Sequence, residues 1–231
     1  MSIVNMFVRS SGLKAASESI DHKFNLDQYL NHIETLIHSI LDRPSRKNAE
    51  FDLLSIPSEQ KILNSALHLK QIQMKYGEIW QTVLGEYDGF VNLKSGHPSG
   101  LDIMCPSRKI VIELKNSYNT DNASSRRSNL DKLAAFVKKN KEYTAIYGII
   151  NEKHCKKREK DIEDDMENDS NNEIVYERNE GTVKTILHND VDILYYSGKR
   201  LFDFLLGDDA PIVVNKVINV VRDYKLKKYM I

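Results

Sequence analysis

The 231-residue chain has little of what staples a small fold together. It carries two cysteines, Cys105 and Cys155, far apart and with no paired spacing. That pattern argues against a zinc site or a disulfide framework and for two free thiols. It also lacks a long hydrophobic run: nothing approaches the ~20 apolar residues that span a bilayer. The start, Met1–Ser19, has a short apolar patch but neither the h-region nor the cleavage site of a secretory signal. A cytoplasmic protein with no membrane association is the expectation.

A net charge is missing as well. Lysine and arginine number 33 and aspartate and glutamate 33, a formal charge of zero. The zero hides a distribution. Pro106–Asn140 holds eight basic residues against three acidic ones, whereas Arg158–Glu180 holds ten acidic against three basic. An excess of positive charge in one stretch is the footprint of a phosphate-binding face. The acidic stretch either keeps the protein soluble or repels a polyanion from the wrong face.

What is present reads as one domain with a core. Leu26, Leu30, Ile33, Leu36, Ile37, Ile40 and Leu41 recur at helical spacing, with Asn25 or Asp27 as cap and Pro44 as stop. A second helix is expected from Ser58 to about Leu84, with a break or a close approach at Gly77. Tyr76 and Trp80 on it serve either the core or a dimer contact. Strands are expected at Phe90–Leu93, around Leu101–Cys105, at Ile110–Lys115, at Tyr143–Ile150 and at Val191–Tyr195, and a hairpin pairs Ile174–Tyr176 with Thr182–Leu187. A helix capped by Asn129 between Ile110 and Ile150 makes a parallel β-helix-β crossover. Ser197-Gly198 caps a short helix to Leu206, and a last helix covers about Pro211–Tyr224 before a basic tail. The chain thus divides into a mainly helical part at 1–86, a core at 87–206 and a C-terminal helix and tail at 207–231. The fold class is α/β (α+β), a central mixed sheet flanked by helices.

The chemistry concentrates in Leu101–Tyr118, LDIMCPSRKIVIELKNSY. Strand alternation sends Glu113 and Lys115 to one face, roughly 6–7 Å apart, and Leu114 to the other. If the strands pair as a hairpin, Asp102 lies beside them. Asp-x10-Glu-x-Lys taken alone is a common accident, because half-buried strands often end in Glu-x-Lys. Here the preceding Ile110-Val111-Ile112 reads as a buried central strand, where a terminal charged pair is less expected. Two carboxylates and an ammonium are the minimal equipment for holding a divalent metal and setting a water against a phosphodiester.

This centre resembles the PD-(D/E)XK nuclease superfamily, which has an Asp near the start of its second core strand and (Asp/Glu)-x-Lys at the end of the third. Asp102, Glu113 and Lys115 match those positions, although Leu101 stands where a proline often precedes the Asp. Within it, Glu113–Thr120 followed by Ser124-Ser125 resembles the ELKNKxNT-type stretch of the SinI-like type II restriction endonucleases that cut GGNCC. Ser197-Gly198-Lys199 with Phe202 is similar to that group too. The likeness spans about residues 70–206.

The resemblance implies a restriction-endonuclease-like core and Mg²⁺-dependent, sequence-specific hydrolysis of double-stranded DNA leaving 5′-phosphates, with Mn²⁺ as a substitute. Asp102, Glu113 and the Leu114 carbonyl would hold the metal, and Lys115 would orient or deprotonate the water. Glu78 is either a ligand to a second metal or an ordinary solvated helical glutamate. Base reading falls to Asn116, Ser117, Tyr118, Asn119, Asn122, Ser124, Ser125, Arg126 and Arg127 in the loop after Lys115, with the two arginines either reading bases or holding phosphates. His97 either touches DNA or is a plain surface residue. A palindromic target calls for a homodimer, with the helices at 25–42 and 58–84 as its interface, and for a cognate methyltransferase as functional partner. The competing readings are a structure-specific repair or mobile-element nuclease of the same superfamily, and a DNA-binding protein that has lost catalysis.

Overall fold

A computed structural model describes residues 24–45, 60–117, 122–151 and 180–229. Helix α1, Leu26–Leu41, is capped by Asn25, whose side chain accepts from the Gln28 N–H at 3.0 Å. Helix α2, Gln60–Leu84, runs unbroken through Gly77, where a Cβ would stand 3.8 Å from that of Asn116. That is ordinary contact, so Gly77 brings α2 against the sheet without a kink. Ser58 lies outside the described residues. At the far end of α2, a Cβ on Gly85 would come within 2.6 Å of the Asn92 side chain, so only glycine lets the next strand pass there.

Strands β1 (Val91–Asn92), β2 (Ile103–Cys105), β3 (Ile110–Ser117), β4 (Thr144–Asn151), β5 (Val183–His188) and β6 (Val191–Ser197) make one sheet in the order β1-β2-β3-β4-β6-β5. β1, β2 and β3 pair antiparallel, β3, β4 and β6 parallel, and β5 returns antiparallel to β6. Helix α3, Ala123–Lys139, is the crossover between β3 and β4. Helices α4 (Gly198–Leu206) and α5 (Ala210–Tyr229) close the chain around a 3₁₀ turn, Gly207–Asp209. The mixed α+β sheet with flanking helices is as expected.

Alternation along β3 and β4 sorts the core into two layers. Ile110, Ile112, Leu114, Ile146 and Ile150 pack with residues of α1, α2, α4 and α5, while Val111, Ala145, Tyr147 and Ile149 pack under α3. Trp80 joins the first layer, its ring 4.9 Å from that of Phe202. Cys105 is a buried free thiol, and Cys155 lies outside the described residues.

Two expectations change, and one hairpin is added. The crossover helix starts at Ala123, capped by Asn122, and not at Asn129; its first six residues are exposed and so carry no apolar periodicity. The hairpin seen is β5–β6, turning at Asn189 and Asp190, both with positive φ, a conformation these residue types tolerate best after glycine. Ile174–Tyr176 lie outside the described residues. Ser197 stands at the N-cap of α4, but its hydroxyl accepts from the Thr182 N–H instead of capping. Among the described residues no helix is long and apolar enough to cross a membrane.

Candidate active site

β3 is a central strand, buried from Ile110 to Leu114 and opening to solvent from Lys115. Glu113 is its last fully buried polar position, at 3 % exposure. An isolated carboxylate there would be expensive to ionise. Lys115, two residues on and facing the same way, donates to Glu113 Oε1 at 2.6 Å. Glu113 Oε2 is buried with no hydrogen-bond partner among the described residues.

Asp102 is fixed by the hairpin. Its N–H donates to the Ile112 carbonyl at 3.1 Å, which holds it opposite the end of β3. Its Oδ2 accepts from the Leu114 N–H at 2.8 Å and its Oδ1 from Gln81 Nε2 of α2 at 3.1 Å. Burial pushes the Glu113 carboxyl above its ordinary range, and the Asp102 charge adds to the push. Lys115, and beyond it Lys132, oppose both.

A buried carboxylate oxygen without a donor, next to a second carboxylate, is an arrangement completed by a cation. Among the described residues no third His, Cys, Asp or Glu joins the pair. Two carboxylates fit Mg²⁺ better than a metal that wants an all-protein cage, since Mg²⁺ commonly takes one or two carboxylates and fills its shell with water and substrate phosphate.

The model of the Eco47II restriction endonuclease family matches residues 55–190, more than half of the chain and the whole of this centre. The chain belongs to the Eco47II restriction endonuclease family. No curated protein matches it. Membership makes it a nuclease of the restriction type, whose substrate is DNA.

The endonuclease brings some expected residues together and leaves others apart. Asp102, Glu113 and Lys115 converge, and the Leu114 amide links them to the hairpin. Glu78 pairs with Arg43 at 2.6 Å, and the α2 side chain that reaches Asp102 is Gln81 instead. His97 lies in the loop before Asp102, its Nδ1 2.8 Å from the Ser99 hydroxyl, and partial burial lowers its pKa. Asn116, next to last in β3, lies within reach of Asn151, whose Nδ2 donates to its carbonyl at 2.6 Å, and Ser117 ends the strand, half-buried.

Ser124, Ser125, Arg126 and Arg127 are not loop residues but lie in the exposed first turns of α3. Asn122 accepts from the Ser125 N–H at 2.8 Å, the N-cap bond, and Arg126 stands 5.8 Å over the Tyr147 ring. Tyr118 and Asn119 lie outside the described residues. Sequence reading missed Gln81, Asn129 and Lys132. The first was signalled only by lying one turn after Glu78; the other two form an Asn-x-x-Lys pair inside what looked like a helix start.

Proposed function

We propose that the protein is a type II restriction endonuclease that hydrolyses double-stranded DNA at a specific sequence and leaves 5′-phosphate ends. The observation that supports this most is the buried Glu113 carboxylate, with one oxygen on Lys115 and the other unsatisfied, facing Asp102 at the mouth of a central strand. Asp102 and Glu113, with the Leu114 carbonyl, would hold Mg²⁺, with Mn²⁺ as a substitute. The bound cation supplies Lewis-acid polarisation of the phosphate and lowers the pKa of water.

The rest falls to the chain. Glu113 holds Lys115 by a charge-assisted bond, so Lys115 is placed to orient the attacking water and to offset phosphate charge. Asp102 is held by two donors and cannot swing away. The water loses a proton to solvent as its oxygen bonds to phosphorus, the P–O3′ bond breaks, and the 3′ oxygen takes a proton from solvent and leaves as a hydroxyl.

The Glu113–Thr120 stretch favours a GGNCC-type target, and a palindrome favours a homodimer. The apolar face of α1 is buried against α2 and α5 within the chain. That leaves α2, where Leu69 and Met74 are 61 % and 67 % exposed, as the contact with a second copy. A cognate methyltransferase would protect the same sequence.

The test is digestion of unmethylated phage DNA with Mg²⁺, beside an EDTA control and Lys115→Ala. Discrete bands from the wild type alone support the proposal, and their ends report the target. A smear lost in the variant points to a nuclease without sequence choice. No cutting, or cutting unchanged in Lys115→Ala, overturns the assignment. Light scattering that finds a monomer with and without DNA would remove the dimer.

A further inference from the structure

Lys132 has no part in the chemistry above, yet it is pinned beside it. It lies one turn after Asn129 on α3, and its Nζ donates to the Oδ1 of that buried asparagine at 3.2 Å. Its stem lies over the loop that feeds Asp102. Gly100 has φ +62°, and a Cβ there would stand 3.3 Å from Lys132 Cδ and 3.7 Å from Nζ. A bond to a buried side chain of its own helix and a place against the Gly100 loop set it apart from a lysine that points freely into solvent. Its charge reaches Glu113, where it sides with Lys115 in favouring the ionised carboxylate.

Resting on the nuclease reading above, we propose that Lys132, seated by Asn129 and by the bare Cα of Gly100, is a second catalytic cation that contacts a non-bridging oxygen of the scissile phosphate. Before a cation binds, Asp102 and Glu113 are two acids beside the one ammonium of Lys115. Lys132 adds a second. The pentacoordinate state places a further negative charge on the non-bridging oxygens, so a fixed cation there is worth more at the transition state than before it. Arg126, one turn before Asn129 on the same side of α3, extends the row toward the flanking backbone.

The test uses the full chain with Lys132→Met, Lys132→Arg and Lys115→Ala. Binding to a short random-sequence duplex is measured in EDTA across a salt series, and single-turnover cutting of unmethylated phage DNA in Mg²⁺. Lys132→Met should lower the slope of log K against log salt by about 0.9, the value of one phosphate contact. It should slow cutting by about 10²-fold, as loss of one preorganised transition-state donor does. The melting temperature should stay within a few degrees, and Lys132→Arg should recover most of both losses.

An unchanged slope overturns the contact. A rate loss that follows the melting temperature and is not restored by arginine makes Lys132 structural. A lower slope with unchanged cutting moves the contact off the reacting phosphate and sinks the proposal. The control separates the two claims. If Lys115→Ala abolishes cutting while Lys132→Met matches wild type in rate and slope, the nuclease stands and this inference falls. If wild type does not cut, or Lys115→Ala cuts like it, the nuclease reading fails, and the salt slope alone decides whether Lys132 meets a phosphate.

Discussion

At the end of β3 its two faces follow opposite rules: one stays dry, and the other, apolar under α3 at Val111, turns polar at Glu113 and Lys115 and is the wet face. On one side Leu114 packs into a layer with Leu201, and Gly148 on β4 leaves the room: a Cβ there would meet Leu201 at 3.1 Å and Leu114 at 3.2 Å. On the other side, one residue earlier, Glu113 has its carboxylate in a buried place with half of it unsatisfied. A strand cannot move one face without the other, because alternate residues share one backbone. The dry face therefore fixes where the wet face's carboxylates stand. It also contributes the stability that the wet face gives up.

That division has its largest consequence at Asp102. Asp102→Asn keeps an oxygen for the Leu114 N–H but removes a charge from the pair proposed to hold the metal. Cutting should fall by about a thousandfold, ~4 kcal/mol on the barrier, the scale of losing metal polarisation of the phosphate. Chemical denaturation should change by less than ~1 kcal/mol, since the backbone donor stays satisfied. A variant that unfolds in proportion to its lost activity would break the division, because the wet face would then hold the fold.

The reverse substitution comes next. Leu201 is fully buried on the dry face, and Leu201→Ala should cost about 3 kcal/mol through lost contacts and a cavity. Below its lowered melting temperature the variant should cut at a rate per folded molecule within a few-fold of wild type. A rate that drops with the packing would mean that Leu114 transmits small shifts to Asp102 and Glu113, and that the faces are less separable than the geometry suggests.

The sequence was readable wherever apolar residues kept a period. The run Ile110–Ile112 announced a central strand, and Leu26–Leu41 a helix down to its Asn25 cap. Strand alternation put Glu113 and Lys115 on one face, and the 2.6 Å bond agrees. It was not readable where a helix stands clear of the core. Ala123–Ser128 are exposed, so nothing in their pattern separated a helical turn from a loop. The β5–β6 turn was missed because Asn189-Asp190 lacks the glycine that flags such hairpins. Gln81 and Lys132 were hidden for another reason: each reaches the centre from a different element, and only the packing of α2 and α3 on the sheet makes them neighbours of Asp102 and Glu113.

Glu113 gives a smaller effect with an unusual sign. Burial raises its folded pKa above the unfolded value, so between those two pKa values the native state binds more protons than the unfolded state. Stability contributed by this group is therefore lost as pH rises from the ordinary carboxylate range through the raised pKa, and is flat above it. Glu113→Gln removes that loss. At neutral pH without divalent cations the variant should show a higher denaturant midpoint than wild type, and the gap should close at acid pH. Saturating Mg²⁺ should narrow it by stabilising only the wild type. A variant less stable at neutral pH would mean that the Lys115 pair outweighs burial, and that the wet face is stabilising after all.

The smallest effect decides between two uses of one residue. Asn122 was expected to read bases, and its side chain is found capping α3. Asn122→Ala should lower stability by about 1 kcal/mol, the usual worth of an N-cap. Asn122→Asp keeps the acceptor, adds a charge that suits a helix N-terminus, and removes the amide donor that adenine recognition would need. If Asn122 only caps, the aspartate variant should be as stable as wild type and give the same fragments from phage DNA. Altered fragments with unaltered stability would return Asn122 to the reading surface. The exposed start of α3 would then be the part of the wet face that chooses the site, with Glu113 and Lys115 the part that cuts it.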